Sequence, residues 1–230
     1  MRNKITVHLT FGRFIEMSLT TDIGRRIELV SMDSHFHQIS IGLYRQSGAQ
    51  GPEFLVHTYS SIDGARERVE FVTRTMVVLG GMESVEGDGL RVRFACNSSH
   101  DFACRRVFLE SCKWDPADAV EPKPLTIFDK KSDGNVNVSI LVDGAYRVTG
   151  ELKSDRGEKR RTAIGAGLVK LGEMEWLESD EERFAFPCGH SHDKLVGLLL
   201  IRALNVRGVE REQQMALARG QLLAPSAQNQ

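Results

Sequence analysis

Shifted by 92 positions, this sequence lies on itself without a gap. Between 63–112 and 155–204, 15 of 50 positions carry the same residue, where about three would coincide by chance. The matches include Asp63/Asp155, Arg68/Arg160, Leu79/Leu171, Gly80/Gly172, Met82/Met174 and Glu83/Glu175. They continue through Arg91/Arg183, Phe94/Phe186, Cys96/Cys188, Ser99/Ser191, His100/His192 and Asp101/Asp193. The pattern reads as an internal duplication, so whatever the first copy folds into, the second must be able to form, and each half serves as a control on the other.

In the first half, Arg26–Met32 and Ile39–Gln46 alternate as strands, Ser47–Pro52 is a turn, and Glu53–Tyr59 is a third strand. Ser60–Asp63 reads as the cap of a helix running to about Leu79, stopped by Gly80 and Gly81. Met82–Val85 and Leu90–Phe94 flank a hairpin turn, and Asp101–Lys113 is a second helix. The second half repeats this order. Strands fall near Leu125–Phe128, Asn135–Val142 and Ala145–Leu152, a helix runs to Leu171, a strand pair lies within Met174–Phe186, and the last helix spans about Ser191–Val206. Alternating strands joined by short turns give mainly antiparallel sheets with helices on one face, the α+β class. Two tandem ββαββα-like repeats are expected to pack as a pseudo-two-fold pair. The division is 1–17 as an extension or extra strand, 18–113 as the first repeat, 114–124 as a Pro-containing linker, 125–207 as the second repeat and 208–230 as a polar tail.

The composition, 41% apolar and 27% charged, is that of a soluble globular protein. The most apolar run, Leu195–Leu204, is short of the roughly 18 residues a membrane span needs. Thirty basic against 31 acidic residues leave a net charge of −1, with no field to attract nucleic acid or anionic lipid. Near the start, Asn3, Thr6, His8 and Thr10 interrupt any secretory apolar core, so Ile5–Phe11 reads as a strand or a non-native extension, with Met17 a candidate start. The four cysteines lack CxxC spacing, and the reduced cytoplasm is the expected setting. Gly208–Leu223 reads either as a polar helix for homo-oligomer contacts or as an exposed tail.

The chemistry concentrates in a phrase repeated in both halves, Cys-x-x-Ser-His-Asp, at Cys96–Asp101 and Cys188–Asp193, between a strand end and a helix start. One reading is structural: Ser99 and Ser191 cap the helices, Asp101 and Asp193 suit their positive ends, and the cysteines are core residues. The other rests on the second copy, where Cys188, His190, His192 and Asp193 put soft and borderline ligands within six residues, suited to Zn2+ or Fe2+. A further cluster, Asp33, His35 and His37, lies between the first two strands. If the pseudo-dyad brings these loops together, His35, His37, His190 and His192 would hold a metal with a position open to water. Cys188, Asp193 and Asp33 would then serve as further ligand, orienting group or base. The functional expectation is a metal-dependent hydrolase, lyase or isomerase acting on a small molecule. Its rival is a non-enzymatic ligand-binding or oligomeric module. Thiol catalysis would use Cys188, activated by His190 and the helix N-terminus.

Cys104 and Cys112 are matched by Val196 and Leu204 and read as core residues. The basic run Lys159–Arg161 reads as a solvated helix face, and Gly165-Ala166-Gly167 as a site of close helix packing.

Overall fold

The computed structural model describes residues 4–11, 13–20, 26–34, 39–87, 89–129, 134–151, 155–177 and 182–204. The class is α+β: two antiparallel five-stranded sheets and four helices, preceded by a hairpin of β1 (Lys4–Phe11) and β2 (Arg13–Thr20). Val7 of β1 pairs with Met17, and β2 continues through Met17 to Thr20.

The first sheet contains β3 (Arg26–Ser34), β4 (Ile39–Gly48), β5 (Gly51–Thr58), β6 (Glu83–Ser84) and β7 (Arg91–Arg93), in the order β3-β4-β5-β7-β6. The second contains β8 (Thr126–Asp129), β9 (Gly134–Ile140), β10 (Tyr146–Thr149), β11 (Glu175–Trp176) and β12 (Arg183–Ala185), in the order β8-β9-β10-β12-β11. Period-two alternation sets which face is buried. In the first sheet Ile39, Ile41 and Leu43 join Phe54 and Val56 in the core; in the second, Val136 and Val138 join Tyr146 and Val148. Register follows from that choice, with Leu43 opposite Val56, Phe54 opposite Val92, and Tyr146 opposite Phe184.

Helix α1 (Ala65–Gly80) buries Val69, Val72, Met76 and Leu79 at helical spacing, and Gly81 ends it in the left-handed region at φ 62°. Its start differs from the sequence expectation. Gly64 occupies the N-cap at φ 82° with no side-chain cap bond, and Ser60, four residues earlier, accepts the Ser40 N–H on its Oγ at 3.0 Å. Helix α2 is Asp101–Ser111, α3 is Asp155–Gly172 and α4 is Asp193–Ala203. Helix α1 lies against β5, β6 and β7, α2 against β3 and β4, and α3 against β10. Helices α1, α2 and α3 also all reach α4, which is why Leu195, Val196 and Leu198–Leu200 are all buried. A single core runs through both halves.

Gly167 shows how closely the helices approach: a Cβ added there would lie 3.2 Å from the Cβ of Ala203. Of the small residues in α3, Gly167 serves this helix packing, whereas Gly165 faces Trp176 and Val148 of the sheet and Ala166 is exposed. Cys104 is buried, and Cys112 packs against the core. The basic run sits on a helix face as expected, with Arg161 paired to Glu158 and Glu182. The linker contains no regular element. Arg68 of α1 donates to the carbonyls of Trp114 and Cys112 at 2.7 and 2.8 Å, tying the end of α2 and the start of the linker to α1.

The two halves differ where helix meets sheet. A cleft of about 490 Å3 beside α3 is walled by Gly165, Trp176 and Phe184. At the positions 92 residues earlier stand Thr73, Ser84 and Val92, and there Thr73 and Val92 are buried. Among the described residues, no helix is long and apolar enough to cross a membrane.

Candidate metal centre

Both copies of the repeated phrase begin as the same tight turn. After β7 the Asn97 N–H returns to the Phe94 carbonyl at 3.0 Å, and after β12 the Gly189 N–H returns to the Phe186 carbonyl at 2.9 Å. Asn97 at φ 57° and Gly189 at φ 71° sit in the left-handed region that lets the chain reverse so sharply. The turn aims each cysteine sulfur inward, where it accepts the backbone N–H two residues on: Ser98 N–H to Cys96 Sγ, and His190 N–H to Cys188 Sγ, both at 3.4 Å.

Two residues further, His100 and His192 stand immediately before their helices. Each supplies the first helical acceptor, with Cys104 N–H on the His100 carbonyl at 2.8 Å and Val196 N–H on the His192 carbonyl at 2.9 Å. Neither helix start has a side-chain cap bond, so serine capping, the structural reading of the phrase, is not what the phrase does. The imidazoles turn back toward the sulfurs instead. His100 Nε2 lies 3.3 Å from Cys96 Sγ, and His192 Nε2 lies 3.4 Å from Cys188 Sγ.

The two turns meet. One ligand atom from each of Cys96, His100, Cys188 and His192 lies within 4.8 Å of all the others. Around a tetrahedral Zn2+, bonds of about 2.3 Å to sulfur and about 2.0 Å to nitrogen put neighbouring ligand atoms roughly 3.3–3.8 Å apart. The sulfur–nitrogen distance in each turn, 3.3 and 3.4 Å, already falls in that range, and contraction of the remaining separations from at most 4.8 Å would close the set on one ion. Four donors of the S2N2 type can therefore hold a metal here.

Phe94 and Phe186 wall the site. Phe94 lies 5.2 and 5.4 Å from the rings of His100 and His192, and Phe186 lies 5.4 and 4.8 Å from them. This apolar cage governs protonation. Burial holds the His100 imidazole below its ordinary pKa. Burial pushes His192 down to about 4, with His100 and His190 adding to the effect, so both rings are neutral and able to bind metal at neutral pH. Burial pushes the Cys188 thiol up, only partly offset by the backbone N–H of His190, and the neighbouring Cys96 raises it further. That is the reverse of the activated thiolate expected for thiol catalysis, whereas a bound cation would itself supply the charge that deprotonates the thiol.

Of the residues singled out from sequence, Cys188 and His192 belong to this set. His190 does not: it is exposed, and its Nδ1 lies 2.8 Å from the Cys188 carbonyl. Asp193 opens α4 and accepts the Tyr146 hydroxyl at 3.1 Å, while that hydroxyl also takes the His192 N–H. Asp193 thus braces the turn through Tyr146. Its counterpart Asp101 pairs instead with Arg45 at 2.5 Å. Asp33 lies on β3 opposite Ser40, and His35 and His37 fall outside the described residues. Cys96 and His100, not among the metal ligands expected from sequence, carry one signal there. The cysteine and the second histidine of the phrase are identical in both copies, whereas His190 is matched by Ser98.

The chain matches no family model, no curated protein and no solved structure.

Proposed function

We propose that this chain binds one zinc ion through Cys96, His100, Cys188 and His192, and that the ion is structural, clamping its two halves together. One observation carries the reading: the four ligand atoms lie within 4.8 Å of one another, two from each copy of the phrase. Two thiolates and two imidazoles in a compact set favour Zn2+ over metals that prefer carboxylate or more open coordination. Four protein ligands complete a tetrahedral shell and leave no position for water or substrate, the property that separates structural zinc from catalytic zinc. A hydrolase, lyase or isomerase acting at this ion would have to displace one of the four. The closed set therefore supports a metal-stabilised module over a metal-dependent enzyme. The equal contribution of both copies supports reading the halves as duplicates of one unit about a pseudo-two-fold axis.

Elemental analysis of tag-free protein, purified without chelator or nickel resin, tests this directly. The expected result is one zinc per chain, lost in His100→Ala and in His192→Ala but kept in His190→Ala. Zinc lost in His190→Ala while retained in His100→Ala would overturn the assignment.

A further inference from the structure

The site holds two of the four cysteines, Cys96 and Cys188, as a pair. Cys96 and Cys188 are free thiols, half-buried, and their sulfurs lie within 4.8 Å of each other. The remaining two are protected in different ways. Cys104 is fully buried, and burial holds its thiol well above the ordinary range. Burial raises Cys112 to about 12, so it is also a neutral thiol at physiological pH. Since the thiolate is the form that reacts with peroxides, a metal that keeps Cys96 and Cys188 as thiolates also makes them the oxidisable pair.

Resting on the zinc assignment, we propose that the centre is a redox-sensitive clamp, in which a hydroperoxide joins Cys96 to Cys188 and expels the metal. One thiolate attacks the terminal peroxide oxygen; the O–O bond breaks, the sulfur becomes a sulfenic acid, and the rest of the peroxide leaves as alkoxide or hydroxide and takes a proton. The second thiolate attacks the sulfenic sulfur, forming the S–S bond and releasing hydroxide, which is protonated to water. Two thiolates, one peroxide and two protons thus become one disulfide, one alcohol or water, and one further water. Zn2+ undergoes no redox change. It leaves because His100 and His192 alone are a poor ligand set. The consequence is mechanical as well as chemical: the ion that drew both turns together is replaced by a covalent link with different geometry, and the half-buried His100 and the buried His192 lose their partner.

The test begins with zinc-loaded, freshly reduced full-length protein whose metal content has been measured. Hydrogen peroxide is titrated in while released zinc is followed with a chromogenic chelator, and the product is mapped by peptide mass spectrometry. The expected result is zinc release in step with a Cys96–Cys188 disulfide, about one peroxide consumed per zinc, with dithiothreitol and added zinc restoring the starting state. A Cys112→Ser variant should respond as the parent does. Zinc that stays bound with both cysteines reduced would overturn the proposal. So would release accompanied only by sulfinic acids, or a disulfide involving Cys104 or Cys112. A protein that takes up no zinc at the outset overturns the metal assignment itself, which separates that failure from failure of the redox step.

Discussion

His100 and His192, 92 residues apart in sequence, stand with their ring centroids 4.8 Å apart and their planes crossed at 75°. Each imidazole belongs to a different half of the chain and each faces the sulfur of its own turn. Two neutral imidazoles brought edge to face inside a cage of phenylalanines, with two thiols alongside, form an arrangement that a divalent ion stabilises.

Removing the ion should therefore cost stability. With free zinc about a hundredfold above its dissociation constant, binding to the native state alone contributes about 2.7 kcal/mol. For a chain of this size that corresponds to a fall in Tm of roughly 5–10 °C on treatment with a strong chelator. Calorimetry before and after chelation, with zinc restored as the control, reads the difference. An unchanged Tm in protein shown to have lost its metal would count against a clamping role.

Acid should destabilise the metal-free protein through His192. Its folded-state pKa is depressed to about 4, against about 6.5 in an unfolded chain. The unfolded state therefore takes up the proton first as pH falls. The stability associated with the neutral ring is present above about pH 6.5 and is lost progressively down to about pH 4, by up to roughly 3 kcal/mol. Denaturant titrations across that window should show a steeper loss in the parent than in His192→Phe. Equal slopes would show that this ring does not govern the transition.

Tyr146 should matter to the metal without touching it. Its hydroxyl takes the His192 N–H and donates to Asp193 at 3.1 Å, so Tyr146→Phe strands the buried His192 N–H and removes one partner of the exposed Asp193. We expect a loss of about 1–3 kcal/mol in stability and roughly a 10–100-fold weaker hold on zinc. Chelator competition against the parent measures the second effect. Because the first effect alone would follow from any packing role, the affinity change is the diagnostic one.

The helix contact at Gly167 gives a test remote from the metal. The helices are close enough that even a methyl there would meet Ala203 at 3.2 Å. Gly167→Leu should cost about 1–3 kcal/mol or more through overpacking, lowering the denaturation midpoint without abolishing zinc binding in the folded fraction.

Much of the local structure was legible from the residues. The alternation over Ile39–Gln46 identified β4, and Gly80-Gly81 marked the end of α1, because both are signals carried by short segments. The start of α1 was misread: Ser60 looked like a cap, but its hydroxyl is taken by the backbone of Ser40 on a neighbouring strand, a partner no local pattern reveals. The repeated phrase was recognised for its ligands, yet its chemistry was assigned to the second copy, where His190 crowds the sequence. Density of donors along the chain does not reveal which of them converge: His190 is exposed, while Cys96 and His100 reach Cys188 and His192 from 92 residues away.

Sequence by itself determined the α+β class, the self-similarity at 92 residues and the residue types able to bind a soft cation. These follow from composition, period and self-similarity, all of which are written locally. Tertiary structure decided which donors converge, because convergence depends on how the two halves pack around α4 and its neighbours. It also decided their protonation, since burial, with His100 and His190 nearby, holds the His192 pKa down. The physical reason is the same in both cases: ligand geometry and desolvation are set by groups distant in the chain, and their energies depend on distances in space rather than along the sequence.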